Sequence, residues 1–418
     1  MRKGSFAMKN TVAVIGGGAA GMMAAIWAAR SGAEVTILEK NDRIGKKILA
    51  TGNGKCNFAN RQIAQTCYYG SGSERVMKLI QQFGVEDSCA FFEGLGMRIK
   101  DRNGYLYPAS EQASTVLDVL RLELERLRVR ICTQQRVTGI KRKGNLIIVE
   151  TSVKDQKKYD CVILTCGGMA APKTGSDGDG FRLARGLGHT LSTPVPGLTG
   201  LKCEGDFWKS VAGVRSEACI QIESNGEKIA FSSGELQITD YGISGIPTFQ
   251  ISREAAYALR RREKVTARIN FMSSYRDSEY DDFWKERWNR QSGQSMEEFT
   301  TGILNKKLNL LFLRLSGISQ IQKAAEIPDR QRRKLEKLYH NFEVHIKDTN
   351  SFEQAQVTAG GIVFSQVDET LQSVLVPGVY FAGELMDIDG LCGGYNLQWA
   401  FTSGKIAGCA AAKRGIGK

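Results

Sequence analysis

The sequence predicts an α/β protein: a Rossmann-like dinucleotide-binding domain split by an inserted β-barrel-like domain and a helical domain. Three observations predict it. Near the N-terminus, "TVAVIGGGAAGMMAAIWAARSGAEVTILEK" runs from apolar strand to glycine turn, alanine-rich helix and second strand, the order of a βαβ unit. Around Pro194-Val195-Pro196-Gly197 the text changes to short β-like runs and then to helical patterns carrying clustered basic residues. Near the C-terminus, "VYFAGELMDIDGLCGGYNLQWAFTSGKIAGCAAAKR" returns to a buried strand, a glycine-rich loop and a small-residue helix, as if the first domain resumed. The expected division is residues 1–196 as the first segment of the nucleotide domain, 197–355 as the insertion and 356–418 as the second segment. Within the insertion, 197–243 and 342–355 should be β-rich and 244–341 mainly helical.

The βαβ unit carries the most chemical information. In Gly16-x-Gly18-x-x-Gly21 the first glycine allows a tight turn, and the second lets a pyrophosphate approach the helix N-terminus. The third brings helix close to strand. Glu39 ends the second strand, 23 residues after Gly16, where a carboxylate can accept both hydroxyls of an adenosine ribose. The same charge repels a 2'-phosphate, so FAD or NAD is favoured over NADP here. Residues 68–127 read as helical stretches, "SERVMKLIQQFG" and "ASTVLDVLRLELERLRV", around a hairpin turning at Asn103-Gly104. Strands follow near 130–138 and 146–151 and in "CVILTCGG", whose Gly167 and Gly168 let backbone approach a ligand at a strand's carboxyl end. "KTGSDGDGFRLARGLGH" is a second glycine-rich turn, entering a helix at Phe181. In the insertion, "EACIQIES", "EKIAFSS" and "GELQITD" suggest three short strands of a small antiparallel sheet or barrel, and "KVTARINF" interrupts the later helices.

With 418 residues, 42% of them hydrophobic, the chain can fill two or three cores. "MRKGSFAMKN" holds no apolar stretch of signal-peptide length, and nowhere do about 18 uncharged apolar residues run together. A cytoplasmic protein without a membrane partner is expected. Ten cysteines lack CxxC or zinc-type spacing and only three histidines are present, so reduced, mostly buried thiols and no metal are expected. His189, following Leu187-Gly188, reads as a capping or packing residue, and His340 and His345 show no carboxylate partner. The net charge of +13 is clustered at 121–143, 260–262 and 330–337. Solvated helix faces account for it first. Phosphate-bearing small molecules such as a coenzyme A thioester come second, and nucleic acid third, for want of a recognised binding motif.

"VIGGGAAG", "EK…GKK…TGNGKCN", "TGSDGDG", "AQVTAGGI" and "VYFAGELMDIDGLCGGYNLQWAFTSGKIAG" together resemble the BaiN/YhiN-like flavoproteins, which include bile-acid-type ring reductases and an aminoacetone oxidase. The resemblance spans nearly the whole chain and implies a split FAD-binding domain. It implies that Gly16, Gly18, Ala19, Ala20 and Gly21 hold the FAD pyrophosphate, and Glu39 with Lys40 the adenosine end. Lys46, Lys47, Thr51, Asn53, Gly54 and Asn57 would line the path to the flavin ring. Val137 would meet the adenine through its backbone, and Gly167 and Gly168 would pass beside the cofactor. Gly383 and Glu384 match a glycine-acid pair that reaches the ribityl or phosphate, glutamate replacing the usual aspartate. Gly394, Tyr395, Asn396 and Leu397 would present helix-start amides to the pyrimidine end of the flavin, where such dipoles stabilise an anionic reduced ring.

No second GxGxxG unit exists for NAD(P)H, so a nicotinamide would dock transiently as co-substrate. The reaction implied is reduction of an activated C=C of a small-molecule, steroid-like enone, a 3-oxo-Δ4 or Δ4,6 bile-acid intermediate. Tyr241 and Tyr395 are the candidate catalytic proton donors, because a phenol stays protonated at neutral pH. A flavin amine oxidase acting on a small amine such as aminoacetone is the first alternative, and a nucleic-acid-associated or sensory flavoprotein the second. Oligomeric state is not legible. Cys56, inside "TGNGKCNFAN", lies where disulfide-reducing flavoenzymes place a redox pair, yet its nearest following cysteine is Cys67, eleven residues on; it reads as a packed thiol.

Overall fold

Strand β1, Thr11–Ile15, is apolar on both faces, with Val12, Ala13 and Val14 wholly buried. That suits the centre of a parallel sheet covered on both sides. A computed structural model describes residues 9–153 and 155–414 of the chain. In it, β1 is flanked in parallel by β2, Glu34–Leu38, and that strand by β3, Arg130–Cys132. On its other side lies β4, Cys161–Leu164, followed by the C-terminal strand Val379–Phe381, so the five-stranded sheet takes its last edge from the returning chain. The described residues of Met1–Val195 and Gln356–Lys418 form one compact unit, and Pro196–Ala355 another. The N-terminal "MRKGSFAM", where no leader is expected, lies outside the described residues.

The helix Ala19–Arg30 packs along the C-terminal helix Tyr395–Lys413. Small residues make this crossing possible: a Cβ on Gly404 would stand 2.5 Å from the Ala20 carbonyl oxygen, and one on Gly408 2.3 Å from that of Ala24. The small-residue character of both helices is thus a packing requirement.

In the second unit six strands close a barrel: β5 Leu201–Cys203, β6 Arg215–Ser224, β7 Glu227–Ile238, β8 Gly242–Ser244, β9 Val265–Asn270 and β10 Phe342–Thr349, in the order β5-β8-β7-β6-β9-β10. Ile220, Ile222, Leu236, Ala267 and Ile269 alternate inward, and Trp284, Trp288, Phe299, Phe312 and Tyr339 from the following helices join the same core. Two sequence expectations need correction. "EKIAFSS" and "GELQI" form one strand, because Gly234, at φ +138°, carries the backbone through where a turn was expected. "SERVMKLIQQFG" stops being helical at Ile80, and a separate helix, Val85–Gly94, starts after Gly84. Among the described residues no helix is long and apolar enough to cross a membrane, and no group of three metal-ligating side chains converges.

Candidate cofactor site

The three glycines of the first turn do different work. Gly16, at φ +102°, donates its amide to the Leu38 carbonyl at 2.9 Å, and a Cβ there would lie 2.7 Å from Thr165 O. A Cβ on Gly21 would fall 1.9 Å from Gly16 O. Gly18 has ordinary extended backbone, φ −79°, and a Cβ there would meet nothing within 4 Å. Gly16 and Gly21 therefore serve close packing, while Gly18 borders open space at the positive end of the helix, which starts at Ala19 and Ala20. Glu39, 7% exposed, accepts the Gly17 amide at 2.8 Å through one carboxylate oxygen and the Asn41 amide at 2.8 Å through the other. Each oxygen keeps a lone pair for a further donor, as the hydroxyls of a ribose would supply.

The lysines that follow diverge. Lys40 is ion-paired with Asp177 and with Asp179 at 3.4 Å. Lys46 pairs with Asp42 one turn away, at 2.5 Å. Lys47 reaches across the chain to Glu384 at 2.6 Å. The second Glu384 oxygen accepts the Thr358 amide at 3.0 Å, and the Thr358 hydroxyl accepts the amides of Met169 at 2.7 Å and Ala170 at 3.0 Å. Beside them Gly168 has no room for a side chain, since its Cβ would sit 2.3 Å from Thr358 Oγ1; Gly167, at φ +70°, would press on Ser176 Oγ at 2.7 Å. "GKK", "CGGMA", "VTAGG" and "GEL" thus meet at one place.

In "TGNGKCN", Gly52, Asn53 and Gly54 adopt consecutive left-handed conformations, φ +55°, +52° and +83°, on the surface. Thr51 donates its hydroxyl to Ile48 O at 2.6 Å. With its amide oriented to suit its neighbours, Asn57 donates to Leu106 O and Ala59 O. Cys56 is wholly buried, and burial pushes its thiol up to about 11, so it carries no thiolate at neutral pH. Val137 is buried with its carbonyl accepting from Arg182 at 3.4 Å.

Gly383, φ +75°, donates its amide to Ser403 Oγ at 2.9 Å. Gly394, φ +94°, caps the 19-residue C-terminal helix and abuts Ala59, whose carbonyl oxygen a Cβ would approach to 2.6 Å. The Asn396 side chain clamps Gly390, donating to its carbonyl at 2.8 Å and accepting its amide at 2.9 Å, which leaves the backbone amide as the group Asn396 can offer. Leu397, half-buried, packs against the core of the first unit. Tyr395 is buried, which pushes its phenol up, and its hydroxyl donates to Gln62 O at 3.0 Å. Tyr241 belongs to the second unit, where its oxygen accepts Asn350 Nδ2 at 2.8 Å. His189 is buried with Nε2 2.8 Å from Ser373 Oγ, His345 Nδ1 is 3.1 Å from Thr266 Oγ1, and His340, against expectation, has a carboxylate nearby, Asp277 at 3.8 Å.

Sequence reading missed Arg136, Thr358, Asp179 and Ser176. Ser176 Oγ and Gln135 Oε1 are buried polar atoms without a partner among the described residues, and the Gln135 amide donates to Glu39 O at 2.8 Å. Orphaned polar atoms, a ribose-type acid and open space over a helix N-terminus fit an adenine dinucleotide. The fold and this cradle define a dinucleotide-binding protein of the Rossmann type. Residues 10–410 match the model described as the HI0933-like protein Rossmann domain, and the chain belongs to that family. It is 43% identical over 410 residues, 97% of this chain and 100% of the other, to a 3-dehydro-bile acid delta(4,6)-reductase of Clostridium scindens. It is 26% identical over 399 residues, 93% of this chain and 95% of the other, to a ribosomal RNA dihydrouridine synthase of Haemophilus influenzae. Among solved structures, a 3-ketosteroid-delta4-(5alpha)-dehydrogenase of Rhodococcus jostii RHA1 aligns with a TM-score of 0.48 at 15% identity, covering 98% of this chain and 99% of that one.

Proposed function

We propose that the protein is an FAD-dependent reductase of a conjugated C=C in a steroid-like enone, a 3-oxo-Δ4 or Δ4,6 bile-acid intermediate, with NAD(P)H as transient reductant. The observation that carries this reading is the 43% identity to a bile-acid delta(4,6)-reductase across essentially both chains. When bound, FAD supplies a hydride for the carbon conjugated to the ketone. The protein's own part is to hold the cofactor by Gly18, Glu39, the Lys47–Glu384 pair and the amides at the start of the C-terminal helix, and to protonate the neighbouring carbon. Of the two tyrosines, Tyr395 commits its proton to Gln62 O, whereas the Tyr241 proton has no acceptor among the described residues. Tyr241 and Tyr395 are the two candidate proton donors in this reading, Tyr241 with the less committed proton.

Saturation of the uracil C5=C6 bond, conjugated to a carbonyl, is the same class of reaction, and the 26% relatives that modify ribosomal RNA favour it as a second reading. One experiment separates them. Anaerobic NADH or NADPH should bleach the flavin band near about 450 nm, and a 3-oxo-4,6-diene steroid should restore it within a turnover. Restoration by uridine-containing RNA alone, with steep salt dependence, would replace the leading reading. Bleaching by a small amine in place of NAD(P)H would point to the oxidase.

A further inference from the structure

Residues 172–179, from "PKTGSDGD", are tied down in an unusual way. Near their start, Asn41 Nδ2 donates to Thr174 O at 3.1 Å. In the middle, Gly178 donates its amide to Gly168 O at 3.0 Å. At the far end, Arg136 grips the Asp179 carboxylate with two nitrogens, at 2.7 and 2.9 Å, and reaches Asp177 at 3.4 Å. Lys40 joins the same two acids, and Arg182 stands 3.7 Å from Asp179. Both principal cations flank the ribose acid: Lys40 follows Glu39 in the chain, and Arg136 follows Gln135, whose amide is bonded to Glu39 O. Between the anchors sits Ser176, 4% exposed, with a hydroxyl that has no partner among the described residues.

Two features of this arrangement need explaining together. A segment meant to stay closed could be held by apolar packing, but this one is held by two hydrogen bonds and by partly exposed ion pairs, which are individually weak and weakened further by salt. Such a closure opens easily. Closure also buries the Ser176 hydroxyl, and an unsatisfied buried hydroxyl is unfavourable because its hydrogen bonds to water are lost without replacement. A ligand that satisfies it would stabilise the closed segment, so binding and closure become one event.

We propose that residues 172–179 form an ionic strap over the adenosine end of the dinucleotide crevice, that Ser176 Oγ is a cofactor-contacting group the strap delivers, and that Lys40, Arg136, Asp177 and Asp179 set the rate of FAD release. This rests on the FAD reading above. The test uses the purified holoenzyme and follows the rise of free-flavin fluorescence after dilution, at about 50 mM and about 1 M NaCl, with the melting temperature of each apoprotein measured in parallel. The native protein should release FAD about tenfold faster at high salt. Asp177→Asn/Asp179→Asn should release it about tenfold faster at low salt and lose the salt response. Arg136→Ala, at an exposed position, should do the same in part without lowering the apoprotein melting temperature. Ser176→Ala should weaken FAD binding about 5- to 20-fold while keeping the salt response. Native release rates and native salt response in both charge variants would overturn the strap and leave the FAD reading intact. A protein that takes up no FAD at all would overturn both.

Discussion

Gly18→Ala and Gly21→Ala, three residues apart in one turn, should fail in opposite ways. At Gly21 the new Cβ falls 1.9 Å from Gly16 O, a backbone atom that cannot swing aside. Overpacking of this kind costs about 1–3 kcal/mol, against which alanine's better helix propensity returns somewhat less than 1 kcal/mol. A net loss of about 1–2 kcal/mol corresponds to a fall of roughly 2–8 °C in melting temperature for a domain of this size class. At Gly18 the Cβ meets nothing within 4 Å and φ is −79°, so the apoprotein should melt within about 1–2 °C of the native one. The methyl group instead fills the space where a pyrophosphate would approach the helix amides. Loss of one hydrogen bond to a charged group, about 1.5–3 kcal/mol, weakens FAD binding about 10- to 150-fold. Differential scanning fluorimetry of the apoproteins and titration of flavin fluorescence measure the two quantities. Native FAD affinity in Gly18→Ala would refute the assignment of the pyrophosphate to this turn, and an unchanged melting temperature in Gly21→Ala would refute the packing argument.

Lys47→Met should weaken FAD about 5-fold, the scale of a partly exposed ion pair, and adding Glu384→Gln should recover part of that; native affinity in the single variant would separate the pair from the cofactor. Cys56→Ser should keep its flavin and an unchanged pH–rate profile between about pH 6 and 9, because the native thiol is neutral throughout; an altered profile would reinstate a thiolate. Tyr241→Phe should leave flavin reduction by NAD(P)H unchanged while slowing reoxidation by the enone about 10²-fold, and Tyr395→Phe should slow it less than about 5-fold, as stopped-flow absorbance would show. Burial pushes the Asp179 carboxyl up, but Arg136 and Lys40 outweigh it and hold the group below its ordinary range. A depressed pKa stabilises the closed strap fully above the unfolded value of about 3.9 and loses that contribution as pH falls through the folded value. FAD release should therefore be flat from neutrality to about pH 5 and accelerate below about pH 4; acceleration already at pH 6 would exclude Asp179 as the cause.

What was legible in the sequence follows from how far each interaction reaches along the chain. The glycine turn could be read because its constraints are local: Gly16 and Gly21 contact each other five residues apart, and Glu39 must stand one strand away to bond Gly17. Lys46 and Lys47 are indistinguishable in the text, yet one spends its charge four residues back on Asp42 and the other reaches Glu384. Only the fold, which returns the C-terminal segment to the sheet edge, makes that difference. The barrel was partly legible for the same reason. Short alternating runs announced strands, but closure depends on Leu201 pairing with Thr349, and β9 sits within the stretch whose composition is mainly helical. Gly234 misled because glycine usually marks a turn, whereas here the chain runs straight through it opposite Ala218.

Ser176 shows most clearly where composition stops informing. In "TGSDGDG" it looks like one more turn residue, and its two acidic neighbours look like solvated charge. Paired with Lys40 and Arg136, those acids become the means of burying a hydroxyl that nothing in the described protein satisfies. A polar atom is buried without a partner at a cost, and in this fold that cost falls beside a ribose-binding acid, where a cofactor that bonded the hydroxyl would remove it.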